Sequence, residues 1–520
     1  MRPTTHIVLA LLCLSLAAQA QIATNRSIRP ITLEEAIRLA LENNLDIARV
    51  RYEPQIAAYR LSGDYAYYEP IFQASAVHRF SQTEGQTIDP ATGLPTIGQK
   101  VDQDSFGGSP ALTGILPITG LRYSIDSTFD HRAGTSGGRI VDDYSADVGI
   151  RLTQPLLRDL WIDQQRLNIK VAKKDVKISE HDVLLQVMNT VNDVEAAFYD
   201  LLGALDTVKA REISVSLADR LVDENRQRVK VGTMAPLDEK QAESEAALRR
   251  ADLIQARSDV RRFENILKLL ISNNYEQWHG AAIVPQEKLL AVPQTYDLQE
   301  SWINGLTYRP DYNQAKERLE RQGIVVSYTF NQLFPTLNAI GSYGRSGIDS
   351  RNPLPPSDPR FPGFRDASFS GTLADIKDET NPHWSYGVVL SVPLTFRAER
   401  ANHRAAKAQL EQSKIDLQIV HQKSMVGIDD AIQAARSAYE RVQATRAARE
   451  FAQTALDAEQ KKLDNGRSTS FVVLRLQRDL TDARAEEIKA LSDYNKSLST
   501  LFFREGTILK RNNVNVEIEK

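Results

Sequence analysis

Between residues 187 and 208 the chain places Val187, Val191, Val194, Phe198, Leu201, Leu205 and Val208 four, three, four, three, four and three residues apart. That alternation averages 3.5 residues and lines all seven up on one helical stripe, the seam along which two helices wind together. No proline interrupts the stretch from about Asp159 to Lys230, and its one glycine, Gly203, falls between stripe positions. At ~1.5 Å per residue, roughly seventy residues make a helix on the order of 100 Å long. Ordinary globular helices are a few turns long, so a neighbour must run along the whole of it.

The neighbour follows directly. After Lys230 comes Val231-Gly232-Thr233, where glycine provides a left-handed stop, and Pro236 is suited to open the next helix, read here from Asp238 to Ile271. The two form an antiparallel hairpin with a tight tip. A second such hairpin is predicted from about Arg397 to Leu463, with Ile428, Ala431, Ala435, Ala438, Val442 and Ala452 on one face, returning from Phe471 to Phe503 past a tip at Asn465-Gly466-Arg467-Ser468.

The doubling extends along the chain. Leu33, Glu35, Leu41 and Asp46 meet Leu298, Glu300, Leu306 and Asp311 at a constant offset of 265, and Pro70 meets Pro335. Gln154-Pro155-Leu156 matches Val392-Pro393-Leu394 at 238, and Gly232 matches Gly466 at 234. Two copies of one unit are predicted, each running helix, strand, loop, strand, long helix, tip and returning helix. The fall in offset gives the first copy about 27 extra residues before its Pro-Leu exit. Residues 272–293 are read as a connector, and Gln82–Gly120 and Arg345–Pro382 as loops.

Period-two alternation marks the strands. Leu121, Tyr123, Ile125, Ser127 and Phe129 alternate with Arg122, Ser124, Asp126, Thr128 and Asp130, and Tyr144 to Thr153 alternates similarly. Trp384, Tyr386, Val388, Leu390, Val392 and Leu394 make a third apolar series. Such segments suit either a soluble half-buried sheet or a water-filled transmembrane barrel. The setting favours the barrel. Met1 to Ala20 has Arg2, an apolar run from Ile7 to Ala18 and an Ala18-Gln19-Ala20 exit, the layout of a cleaved secretory signal. That run is too short to span a bilayer as a helix. The only cysteine, Cys13, lies within it, which closes off disulfides and thiolate metal sites in the mature chain.

Other function classes find little support. A formal net charge of -3 provides no basic field for nucleic acid. No HExxH or phosphate-cradling glycine loop occurs, so no enzyme activity, cofactor or metal is expected. His181, His403 and His421 are read as solvated helix residues.

Taken together, the helix start at Leu33–Asp46 with its repeat ending in Arg309-Pro310-Asp311, the Gln154-Pro155-Leu156 exit and the paired tips resemble the TolC family of outer membrane channel proteins over nearly the whole mature chain. The resemblance implies an α+β membrane protein: long antiparallel coiled-coil hairpins forming an α-barrel, joined to a trimeric transmembrane β-barrel, with two internal repeats. The expected divisions are a signal peptide (1–20), a first repeat (21–292), a second repeat (293–510) and a frayed tail (511–520). It further implies a homotrimer in outer membrane lipid that extends into the periplasm and docks to a periplasmic adaptor. Through the adaptor it would serve an inner-membrane pump or secretion transporter, which selects the cargo. A secreted periplasmic coiled-coil structural or adaptor protein is the alternative, disfavoured because the strands sit between helices in both copies.

The tips are then the expected adaptor contacts, through Val231, Gly232, Thr233, Gly466, Arg467 and Ser468. The family's tunnel entrance points to Asp238, Leu463, Val472 and Arg475, with Leu463 at a position where the family gate has a tyrosine. An Arg475 ring would favour anions. By family analogy four strands per chain and twelve per trimer are expected. The added first-copy hairpin, near 105–112 and 121–130, is placed beyond the membrane because Gly107, Gly108 and Pro110 alternate poorly.

Overall fold

Residues 27–136, 139–351, 359 and 366–516 are described by a computed structural model. The signal-type segment 1–20 lies outside them. The chain divides into two units, one of Met1–Ile56, Lys177–Glu317 and Ile415–Lys520 and one of Ala57–Val176 and Arg318–Lys414.

The helical unit begins with β1 (Ser27–Ile31), α1 (Leu33–Asn43) and α2 (Leu45–Val50). Thr32 caps α1 by accepting the Glu35 N–H at 3.2 Å, and Asn44 caps α2. Helix α3 (Tyr52–Tyr65) follows, and after the first strands comes α4 (Gln164–Lys230), which carries the seam. Val187, Val191, Val194, Phe198 and Leu201 are fully buried in the main core, with Leu205 packed beside them. Helix α5 (Pro236–Ile271) returns from the first tip, with Pro236 in its first turn.

The connector is more structured than expected. It holds α6 (Tyr275–His279) and β8 (Ala281–Pro285), and β8 pairs in parallel with β1. An ion pair buried on α5 fixes this small sheet: Lys268 Nζ lies 3.6 Å from Glu264 Oε2 and donates to the Ala281 carbonyl at 2.5 Å, while Glu264 Oε1 accepts the Ile283 N–H at 2.7 Å. Helices α7 (Leu298–Tyr308) and α8 (Pro310–Asn331) lead to the second half, whose α10 (Arg397–Asp464), α11 (Ser470–Glu505) and α12 (Ile508–Arg511) complete the α-helices among the described residues apart from α9 below. The tail is not frayed over its described part: Asn512 donates to Glu195 Oε1 at 2.7 Å, and Val514 and Val516 pack on the main core.

The sheet unit holds β2 (Ile71–Gln73), β3 (Ala76–Ile88), β4 (Pro95–Gly108), β5 (Ala111–Ile115), β6 (Arg122–Ser136), β7 (Arg139–Pro155), β9 (Thr336–Ser350) and β10 (Asn381–Ser391) in one antiparallel sheet. Its order is β10-β9-β7-β6-β4-β3, with β5 continuing β4 alongside β6 and β2 continuing β3 alongside β5. There are thus six strand paths, where four were expected, and the supposed loop Gln82–Gly120 is largely strand. Glycine did not break these strands because rings on β6 fill the space a side chain would take. A Cβ on Gly108 would meet the Phe129 ring, and one on Gly114 the Tyr123 ring. The second supposed loop holds the end of β9, α9 (Phe369–Lys377) and the start of β10.

Helix α4 starts five residues later than the sequence predicts, since Asp159 takes a left-handed φ of 66°. Asn331 accepts its N–H at 2.8 Å and Gln332 donates to its carboxylate at 2.7 Å. His403 is another correction: it is buried, with Nδ1 3.1 Å from Thr329 Oγ1.

Candidate functional site at the hairpin tips

Both tips are built from the same hydrogen bonds. At the first, Gly232 has φ 75°, its N–H reaches the Val229 carbonyl at 3.0 Å, and the Thr233 N–H reaches Arg228 at 2.9 Å. At the second, Gly466 has φ 69°, its N–H reaches Leu463 at 3.0 Å, and the Arg467 N–H reaches Lys462 at 2.8 Å. This pair of bonds, one from the left-handed residue and one from its successor, closes the last turn of a helix whose end carbonyls would otherwise lack donors.

The sequence keeps the two tips together through α11. Asn225, fully buried on α4, donates to the Asp238 carbonyl at 3.3 Å and accepts from Ser470 Oγ at 3.1 Å. Beside it, Leu474 of α11 enters a core with Ala218, Leu221, Val222, Ala242 and Ala246. Further along, Thr481 Oγ1 donates to Ser214 Oγ at 3.1 Å.

Charged staples close each turn from outside. Arg226 binds Glu239 at 3.1 Å and Glu243 at 3.2 Å, and Lys240 binds Glu243 at 2.7 Å. The hydrogen bonds from Lys240 and then Arg226 hold the Glu243 carboxyl below its ordinary pKa. At the second tip Ser468 Oγ donates to Glu459 at 2.5 Å and Lys462 pairs with it at 2.9 Å, which lowers the Glu459 carboxyl in the same way.

The residues singled out from sequence fall into three groups. Val231, Gly232, Thr233, Gly466 and Arg467 are exposed at the turns, while Ser468 is half-buried by its bond to Glu459. Asp238 and Val472 are half-buried and Arg475 is exposed. Leu463 is different. It is buried with Leu456, Val473 and Leu480 inside the α10–α11 hairpin, where it serves as a packing residue.

Two exposed apolar residues were missed. Leu237 is 66% exposed and Phe471 56%, beside Val231 at 74%. Each stands five residues after its tip glycine, Gly232 or Gly466, and that shared offset was the available signal. No group of three or more His, Cys, Asp or Glu that could hold a metal occurs among the described residues.

Known proteins resemble this chain in sequence and in fold. The family model described as outer membrane efflux protein matches residues 120–273 and 306–506. The outer membrane efflux protein BepC of Brucella suis biovar 1 (strain 1330) is 25% identical over 347 residues, covering 66% of this chain and 69% of BepC. Among solved structures, the Campylobacter jejuni CmeC outer membrane channel superposes with a TM-score of 0.64 at 16% identity, covering 93% of this chain and 90% of CmeC. The Vibrio cholerae outer membrane protein VceC gives 0.62 at 14% identity, covering 91% and 96%. The likeness in fold therefore extends well beyond what the sequences share.

Proposed function

This chain belongs to the outer membrane efflux protein family, and from that premise we propose that it is a passive export duct, assembled as a homotrimer in the outer membrane of a Gram-negative bacterium. Its sheets close one barrel in lipid and its hairpins form a conduit through the periplasm. The tips dock to a periplasmic adaptor, which couples the duct to an inner-membrane pump or secretion transporter.

The observation that carries this reading is the two-sided sheet. Ile125, Ile150, Leu152, Tyr343, Trp384, Tyr386, Val388 and Leu390 share one face and are all exposed, whereas Ser124, Asp126, Arg151, Ser342 and Ser385 share the other. An exposed apolar face with a polar reverse is what a barrel wall between lipid and water requires. Open strand edges are not tolerated in hydrocarbon, so the sheet of one chain must be completed by other copies. Exposed Ile415, Ile419 and Val426, spaced four and seven residues apart on α10, support a helix from a neighbouring copy along that face.

The adaptor contact is assigned to Val231, Thr233, Arg467 and Ser468 at the turns, joined by Leu237 and Phe471. Asp238, Val472 and Arg475 are assigned to the periplasmic entrance, where three copies of Arg475 favour anions. The two halves, 21–292 and 293–510, are read as structural repeats, supported by their matching turn geometry at Gly232 and Gly466. Extraction of a heat-modifiable trimer from outer membranes tests the proposal. Recovery of a soluble periplasmic monomer would overturn it in favour of a secreted coiled-coil protein.

A further inference from the structure

Residues 71–115, the hairpin of β2–β3 and β4–β5, lie ahead of the family match, which begins at residue 120. We infer that this hairpin is a working part of the barrel wall, so that each chain supplies six strands to the barrel and a second copy of the chain pairs against its outer edge. The inference rests on the reading of the sheet as a membrane barrel and sets its composition.

Register carries the argument. Cross-strand partners share a face, so a row can be followed across the sheet. One row runs Phe72, Leu112, Ile125, Ile150, Tyr343, Trp384. All six are apolar or aromatic, and all but the half-buried Leu112 are exposed. The adjacent row on the reverse face runs Gln73, Ala111, Asp126, Gly149, Gly344, His383 and has no large apolar side chain. A slip of one residue between β5 and β6 would have put Leu112 on the polar face. The hairpin therefore continues the lipid face of β6, β7, β9 and β10 in phase.

The strand breaks are consistent with a wall. Between β4 and β5, Ser109 and Pro110 interrupt the ladder, yet the Ser109 N–H bonds the Ser75 carbonyl at 2.9 Å and the Pro110 carbonyl accepts the Ser127 N–H at 2.9 Å. The one backbone N–H of this break and the Pro110 carbonyl are thus paired, as hydrocarbon depth favours. Gly108 and Gly114 present no side chain to lipid, and the Phe129 and Tyr123 rings cover them.

With three copies the barrel has eighteen strands, and a barrel of that size leaves a wide aqueous channel. Closure then pairs β10 of one copy with the β2–β3 edge of the next.

Single cysteines placed in a Cys13→Ser chain, with a membrane-impermeant maleimide applied to the trimer in liposomes, provide the test. Phe72→Cys and Leu112→Cys should lose labelling as completely as Ile150→Cys and Tyr343→Cys, while Gln73→Cys and Ala111→Cys label like Asp126→Cys. Free labelling at 72 and 112 with protection kept at 150 and 343 overturns the inference and leaves the channel reading standing. Free labelling at all four overturns the channel reading itself. Oxidative crosslinking is the second measurement: cysteines scanned over 384–388 should join cysteines at 76–80 of a second copy, and crosslinks to 123–127 instead would show the hairpin bypassed.

Discussion

Replacing either tip glycine by proline should disable export while leaving trimers in the membrane. Gly232 sits at φ 75° and Gly466 at 69°, and the N–H of each donates a 3.0 Å bond that ends its helix. Proline fixes φ near −65° and has no N–H, so both the turn geometry and the bond are lost, at about 3 kcal/mol or more per tip. Alanine provides the graded control. Nothing lies within 4 Å of a Cβ at either position, so alanine meets no clash and suffers only the left-handed penalty of about 1–2 kcal/mol. Alanine should raise the population of open tips by about 5- to 30-fold, and proline by more than a hundredfold. Hydrogen exchange over 225–238 and 461–475 reads the opening, and accumulation of an exported compound reads the function. Unchanged export in both proline variants would remove the tips from the mechanism. Equal exchange for alanine and proline would refute the turn energetics.

Four further outcomes are expected. Leu237→Asp and Phe471→Asp should abolish crosslinking to the adaptor and reduce export with trimer heat stability unchanged; full crosslinking in both would exclude them from the contact. Asn225→Leu leaves the Ser470 hydroxyl and the Asp238 carbonyl without their buried partner, a loss of about 1–3 kcal/mol, so distances between spin labels on the two tips should broaden, and added Ser470→Ala should recover part of the loss. Glu243 and Glu459 have folded pKa values below their ordinary 4.5, so their staples hold above that pH and are lost as pH falls through the lowered values; spin labels at the tips should gain mobility only on the acid side, and loosening near pH 9 would contradict this. Gly108→Val or Gly114→Val forces the Phe129 or Tyr123 ring aside at about 1–3 kcal/mol and should lower the temperature at which the trimer dissociates, whereas no change would mean that the rings do not cover these strands.

What could be read from sequence was whatever repeats with a period. The seam from Val187 to Val208 predicted its own burial, and the offset between Gly232 and Gly466 predicted two turns that share the same hydrogen bonds. Aperiodic features stayed hidden. Gly107 and Gly108 look like strand breakers until Phe129 is known to lie across Gly108, and that contact depends on a pairing between distant strands. The strands β1 and β8 are five residues each, both containing a proline, Pro30 and Pro285, and neither alternates long enough to register. Lys268 reads as a surface lysine because the Ala281 carbonyl that accepts from it takes its place only once β8 has folded back on α5, although Glu264 already lies one turn away on the same helix. In the candidate site, Leu463 was assigned by analogy to a family gate position, whereas the 3.5-residue packing of α10 against α11 turns it inward.

The pairing of β1 with β8 also constrains when the protein can finish folding. The Leu33 N–H bonds Glu287 across a separation of 254 residues, so the first described residues wait for their partners until more than half the chain has been made. Ile31, Ile37 and Ile47 have no core to enter until Val183–Leu201, Leu267 and Ile271 have been made, and the last members of that core, Ile283 and Ile508, come later still. Contacts of such long range form slowly, and the apolar segments left waiting are open to aggregation. Residues 27–50 must therefore be kept from premature association until residue 287 has been made, and a folding helper that binds them would act where the delay is longest.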